Sequence, residues 1–347
     1  MRFVDPAIRG LWTALGLTAA LSAAPPAMGA EAAPPSTGAA TAHLVRLPDG
    51  RRMNLVCMGE GSPVVILENG LGHSAWSLVQ DQLARTTRTC AYDRAGMGFS
   101  DEGPRPRDAS AVAADLHALL PAAGLKGPYV LVGHSIGGFF VRMYADLFPD
   151  EVAGLVLVDP SVENATERAL AAEPALLATI KTDEPGQIEV MRRCAVAARA
   201  GELKPGAEIY KHCAPAALAD LPPDVRPGLI ARYEAPAIYR TMASELESFD
   251  RDGKELTAHA RSYGDMPLIV LTPAERPNIP ALTAEENRQG ARLSIQMHAE
   301  QAALSSRGQE RLVRATGHYI QTDQPQAVID AVNQVVADAR QHAGAGR

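Results

Sequence analysis

The sequence lacks any run rich in lysine or arginine. Its 33 Lys and Arg stand against 40 Asp and Glu, so the formal net charge is −7. Phosphate binding needs clustered positive charge, and this balance argues against a nucleic-acid partner. There is no CxxC pair and no His-rich spacing, so no zinc site is written into the chain. There is no internal repeat. Beyond residues 11–24, no uncharged apolar stretch is long enough to cross a membrane. With 46% hydrophobic and 21% charged residues, the composition excludes a disordered, collagen-like or multi-spanning chain. The length of 347 residues fits one large α/β domain with an insertion, or two domains.

Residues 1–30 read as a secretory signal. Arg2 and Arg9 give a positive start, residues 11–24 are apolar, and Ala27, Gly29 and Ala30 suit cleavage near residue 30. The alternative is an uncleaved N-terminal anchor. Residues 31–42 are rich in Ala, Pro, Ser, Thr and Gly and read as a flexible linker. The expected location is periplasmic or secreted, with no stable membrane insertion after cleavage. Export changes how the four cysteines read, because an even number in an oxidising compartment allows disulfides. Cys57 and Cys90 lie in strand-like segments, whereas Cys194 and Cys213 fall in a later helical region. The expected pairs are Cys57–Cys90 and Cys194–Cys213, against four buried free thiols.

From His43 onward, short apolar runs alternate with helical segments, the sign of a mostly parallel sheet covered on both faces. Residues 44–59 read as a hairpin turning at Pro48-Asp49-Gly50. Strands are expected at 63–68, 89–92, 129–132, 155–158, 267–271 and 311–314. Helices are expected at 74–85, 108–122 (capped by Asp108 or Ser110), 139–148, 283–305 and 325–343. Residues 161–266 carry no strong strand signal. They are Ala-rich and broken by prolines, and read as short helices inserted into a core formed by 43–160 and 267–347.

The strongest chemical signal is GHSIGG (133–138), set between an apolar strand and a helix. A sharp strand-to-helix turn lifts one side chain out of the sheet, and its neighbours two residues away must be small. Gly133 and Gly137 meet that need, which makes Ser135 the candidate nucleophile. The alternative is a serine that merely caps a helix. A serine needs a base, and His318 follows the last strand at the same sheet edge. His134 is expected to point away into packing. His43 and His342 lie near the chain ends. His117, His212, His259 and His298 read as surface or structural, and His73 as a possible lining residue. Two carboxylates compete to orient His318. Asp159 directly follows one strand, and Glu275 follows the next after a spacer; Asp159 is favoured. The expected oxyanion donors are the backbone N–H of Ile136 and that of Leu71, in the glycine turn 69–72.

Taken together, ENGLG (68–72), YDRAGMGFSD (92–101), GHSIGG, LVLVDP (155–160) and GHYIQTDQP (317–325) resemble the α/β-hydrolase superfamily, and within it the esterase/haloperoxidase-like branch. The resemblance implies a mostly parallel eight-stranded sheet flanked by helices, with a helical cap inserted between strands six and seven. It implies neighbouring second and fourth strands, which favours the Cys57–Cys90 pair. It also implies no metal or organic cofactor. Two departures stand out. The usual His-Gly of the oxyanion turn is Asn69-Gly70, and the common Asp after the seventh strand is missing. Some members place the acid after the sixth strand, where Asp159 stands. Dehalogenases and epoxide hydrolases of the superfamily use Asp where this chain has Ser135.

The expected function is that of a serine hydrolase acting on a small-molecule carboxylic ester. Amide or C–C hydrolysis, cofactor-free perhydrolysis and non-catalytic ligand binding are the alternatives; no oligomeric state is implied. The cap is expected to shape the pocket. Phe139, Met191, Tyr239 and Met242 are candidates to add apolar surface to it, with ordinary packing the favoured reading of each.

Overall fold

The computed structural model describes residues 43–72, 76–172, 184–204, 206–213, 234–259, 262–276 and 282–345. The expected signal and linker, residues 1–42, lie outside the described residues, as do His73 and parts of the 161–266 segment.

Eight strands form one sheet: β1 (Leu44–Arg46), β2 (Arg52–Met58), β3 (Val65–Glu68), β4 (Thr89–Tyr92), β5 (Tyr129–His134), β6 (Val152–Val158), β7 (Leu268–Pro273) and β8 (Gly308–Val313). Their order is β1-β2-β4-β3-β5-β6-β7-β8. The β1–β2 and β2–β4 pairs are antiparallel and every other pair is parallel. In β3, β5 and β7 every residue is buried, which is why they read as continuous apolar runs rather than alternating ones.

Alternate side chains feed two cores, one on each face of the sheet. Ile66, Leu131 and Val270 pack with Leu116, Phe139 and Tyr144 from α2 (Ala109–Ala122) and α3 (Gly137–Leu147). Val65, Val132 and Ile269 pack with Val79 of α1 (Ser77–Leu83) and with Val332 and Val335 of the C-terminal helix, Pro325–Ala345. Asp108 caps α2 by accepting from Ala111 N at 2.8 Å.

Both expected disulfides are present. Cys57 and Cys90 face each other across β2 and β4. Cys194–Cys213 ties α5 (Glu184–Arg199) to the short α6 (Tyr210–Cys213). Several boundaries differ from the sequence reading, among them the start of β6, at Val152 rather than 155. β5 runs on through His134, so α3 begins at Gly137 rather than 139. β8 begins at Gly308, because its edge position leaves it half-exposed and without an apolar run to announce it.

Between β6 and β7 lie α4 (Ala165–Ala172), α5, α6 and the 24-residue α7 (Pro236–His259). Among the described residues no helix is long and apolar enough to cross a membrane. α7 is joined to the core by specific contacts. Phe249 packs on Phe139 with ring centroids 5.1 Å apart. Asp252, fully buried, accepts from Ala109 N at the start of α2 at 3.0 Å.

The Oδ2 atom of Asp252 has no partner among the described residues. Burial pushes this carboxyl up to about 7, against the Ala109 bond, which favours the charged form. The folded chain therefore holds a proton that the unfolded chain releases near its ordinary value of 3.8. The associated stability is complete below that value and is lost as pH rises toward about 7, at no more than about 1.4 kcal/mol per pH unit. Asp252→Asn keeps the acceptor and removes the titration. Its melting temperature relative to wild type should be higher at pH 8 than at pH 5. An equal difference at both pH values would contradict this.

Candidate active site

Ser135 follows β5 directly and adopts φ +55°, a left-handed conformation that costs a non-glycine residue about 1–3 kcal/mol. The bend is held from two sides. Ser135 N donates to Val158 O at 3.2 Å, and Ser135 O accepts from Ser161 N at 2.9 Å. The glycines flanking it are a steric demand. A Cβ on Gly133 would stand 2.6 Å from Gly137 O, and one on Gly137 would stand 2.5 Å from Asn69 O.

Asp159, the residue after β6, is also left-handed at φ +38°. Its N–H bonds to Leu271 O at 2.8 Å, which anchors it to the neighbouring strand. Its Oδ2 is 2.7 Å from His318 Nδ1, and its Oδ1 accepts from Arg276 at 2.5 Å. Burial alone would raise this carboxyl. The Arg276 charge and the His318 hydrogen bond outweigh that and hold it well below the usual carboxylate range.

Glu275, the competing acid, has a side chain 60% exposed, accepts from Ala315 N at 3.3 Å and lies 3.9 Å from Arg314. It braces the loop that leads to His318, and His318 is hydrogen-bonded to Asp159.

Two histidines that sequence reading left to surface or packing stand directly around this pair. His134 is buried, and its Nε2 donates to the His318 carbonyl at 2.9 Å, with ring centroids 4.5 Å apart. It thereby fixes the backbone that carries the His318 ring. His298, read from sequence as surface or structural, is buried. Its Nε2 donates to Pro160 O at 3.0 Å and lies 4.0 Å from Asp159 Oδ1. Burial pushes His134 down to about 3 and His298 down to about 4, so both are uncharged at neutral pH.

Ser135, Asp159 and His318 line one cavity of about 140 Å³. Among the described residues Ser135 is not hydrogen-bonded to His318. Such contacts commonly tighten only once substrate is bound. The apolar wall comes from Val162, Phe249, Leu293 and Met297, with Arg276 as a cationic element. The four candidate lining residues stand in packed clusters, as the favoured sequence reading had them. Phe139 lies in the core beneath Phe249. Met191 and Tyr239 pack around the Cys194–Cys213 disulfide, with Met242 against the same cluster.

The glycine turn after β3 passes against the serine, since a Cβ on Gly70 would stand 3.2 Å from Ser135 Cβ. Among the described residues neither the Ile136 nor the Leu71 N–H has a hydrogen-bond partner. Ile136 stands at the N-terminus of α3, where backbone donors are unpaired and the helix dipole favours negative charge. Arg276 and His298 were missed because neither lies in a recognisable motif. Both reach Asp159 from segments more than a hundred residues away.

A family described as the α/β hydrolase fold matches residues 63–183. A protein of Gibberella zeae described as an AB hydrolase superfamily protein is 31% identical over 116 residues, covering 32% of this chain and 36% of its own length. An uncharacterized protein of Schizosaccharomyces pombe is 42% identical over 81 residues, 23% of this chain and 15% of its own length. The chain thus spans well under half the length of these curated relatives. Among solved structures, a thermophilic esterase from Thermogutta terrifontis superimposes with TM-score 0.57 at 20% identity, covering 86% of this chain and 99% of that one. The epoxide hydrolase CorEH superimposes with TM-score 0.52 at 19% identity, with 86% and 99% covered. Identities this low establish the fold.

The geometry separates the two carboxylates. Asp159→Asn should lower kcat, on whatever substrate the site turns over, by about 10⁴-fold, while Glu275→Gln stays within about three-fold, as an exposed surface change would. A crippled Glu275→Gln beside an active Asp159→Asn would reverse the assignment.

Proposed function

We propose that the chain is a member of the α/β-hydrolase superfamily, a reading supported by the family match over residues 63–183 and by the fold, and that it is an exported serine hydrolase acting on carboxylic esters. The observation that carries this reading is the 2.7 Å bond from His318 to buried Asp159, in the cavity that Ser135 also lines. His318 takes the Ser135 proton as the serine oxygen attacks the ester carbonyl. Asp159 keeps Nδ1 protonated and Nε2 free to act, and stabilises the imidazolium that forms. The N–H groups of Ile136 and Leu71 receive the oxyanion, where each donor is worth roughly 3 kcal/mol. His318 then returns the proton to the leaving alcohol, and afterwards activates the water that releases the acid.

Several features support this division of roles. His134 and His298 are uncharged and engaged with backbone carbonyls. Ser135 stands where epoxide hydrolases of the superfamily carry an Asp, which favours acyl transfer. The segment between β6 and β7, the expected cap, contributes Val162 from its opening loop and Phe249 from α7 to the acyl-binding wall. Two disulfides favour an oxidising compartment.

The purified protein should hydrolyse p-nitrophenyl acetate and butyrate and take a fluorophosphonate label, and Ser135→Ala should do neither. Turnover of anilides without esters would move the reading to amide hydrolysis. An unlabelled wild type that binds ligand tightly would make it a binding protein. Expressed with its first 30 residues in a bacterium that exports proteins, the chain should appear in the periplasm or medium with an intact mass beginning near residue 31. A full-length cytoplasmic product would remove the export proposal.

A further inference from the structure

Arg94, two residues past β4, is buried to within 2%, and each of its five guanidinium N–H groups has an acceptor. Nε and Nη2 bond to Glu245 of α7 at 2.8 and 3.0 Å. Nη1 bonds to Glu68 at 2.7 Å and to Asn69 O at 2.7 Å, and Nη2 bonds to Gly70 O at 2.8 Å. The Phe140 ring lies 5.0 Å from the guanidinium carbon. Tyr92 donates its hydroxyl to the other oxygen of Glu68.

The two backbone acceptors matter most. A trans peptide points its N–H opposite to its C=O. With the Asn69 and Gly70 carbonyls turned toward Arg94, the N–H groups of Gly70 and Leu71 are turned away from it. Gly70 lies against Ser135, which a Cβ there would approach within 3.2 Å. A two-pronged planar donor fixes the orientation of both peptides, which a lysine ammonium does not. Glu245 belongs to the stretch between β6 and β7, so the turn is held in part from that insertion.

We infer that Arg94 is the positioning residue of the oxyanion turn, and that Glu245 makes the turn's geometry depend on α7. This rests on the ester-hydrolase reading above. It predicts that losing Arg94 costs transition-state binding and leaves substrate binding nearly intact.

Arg94→Met strands two buried carboxylates and risks unfolding. The variant that keeps the test sound is Glu68→Gln/Arg94→Met/Glu245→Met. It removes the charges together, as apolar replacements of buried ion clusters often tolerate, and it leaves Tyr92 an acceptor. Glu245→Gln, which keeps one acceptor for Arg94, is the mild member of the series.

The readouts are kcat and KM on p-nitrophenyl butyrate, and the inhibition constant of a trifluoromethyl ketone, which forms an oxyanion on serine. In the triple variant kcat should fall about 10²–10³-fold, the loss typical of one oxyanion donor, and the ketone should weaken in parallel. KM should move less than about three-fold, and fluorophosphonate labelling should persist at a reduced rate. Glu245→Gln should show the same pattern with a smaller fall. A folded triple variant with kcat near wild type would overturn the inference and leave ester hydrolysis standing, as would a fall confined to KM. Absence of both turnover and labelling in wild type would overturn the ester-hydrolase reading, and this inference with it.

Discussion

The site depends on the parallel register of three strands. Glu68 of β3 pairs with Gly133 of β5, and His134 of β5 pairs with Val158 of β6. The residues that follow these pairs are therefore level with one another: the glycine turn, the serine bend and Asp159 leave the sheet side by side. A shift of one residue in either pairing would invert which side chains leave the edge and which enter a core. The continuous apolar faces of β3, β5 and β6 make that shift prohibitive, because Val132 and Leu131 serve opposite cores. Hydrophobic burial far from the chemistry thus sets its coordinates.

Within that frame a single buried carboxylate organises the charge. Asp159 is the shared acceptor for Arg276 and His318, with neutral His298 behind it. A buried carboxylate would ordinarily tend to neutralise itself by taking up a proton. Arg276 opposes this with a charge that does not titrate in the accessible range. The carboxylate is consequently held as an anion, by Arg276 and by its hydrogen bond with His318. The left-handed backbone at both Ser135 and Asp159 adds a strain that the surrounding strands absorb through Val158 O and Leu271 O.

Legibility in the sequence followed the locality of each signal. The strand runs, the GHSIGG turn, the His318 loop and the position of Asp159 after β6 are written within a few residues each, and the architecture was readable from them. The choice between Asp159 and Glu275 leaned on one local feature, the direct exit from a strand, and the hydrogen bond to His318 follows it. What local pattern does not carry is which helix residue meets which loop. His298 sits on a polar helix, Ala284–Ala302, whose sequence gives no sign that one face closes over Asp159. Phe249 was not singled out because the rotation of α7 decides which apolar face looks into the cavity, and its 24 residues offer several. Arg94 and Glu68 both lay inside motifs that drew attention for their glycines. Their partnership with Glu245 spans about 150 residues and has no local trace.

α7 also changes how the segment between β6 and β7 is understood. An appended lid would meet the core through a wet, exchangeable surface, as loosely docked domains do. α7 instead places Glu245, Asp252 and Phe249 in fully or largely buried contacts with the loop after β4 and with α2 and α3. Burying Glu245 and Asp252 is costly unless each is paired. Arg94 pairs Glu245 completely, whereas Asp252 has one oxygen without a partner. The same helix therefore carries one contact that is electrostatically complete and one that is not. The complete one leads through Arg94 to the glycine turn after β3; the incomplete one meets the N-terminus of α2. A helix fastened in this way is bound to the core through buried groups, and the part of the cavity wall outside α7 includes Val162, Ala165 and Ala169 on the β6 side.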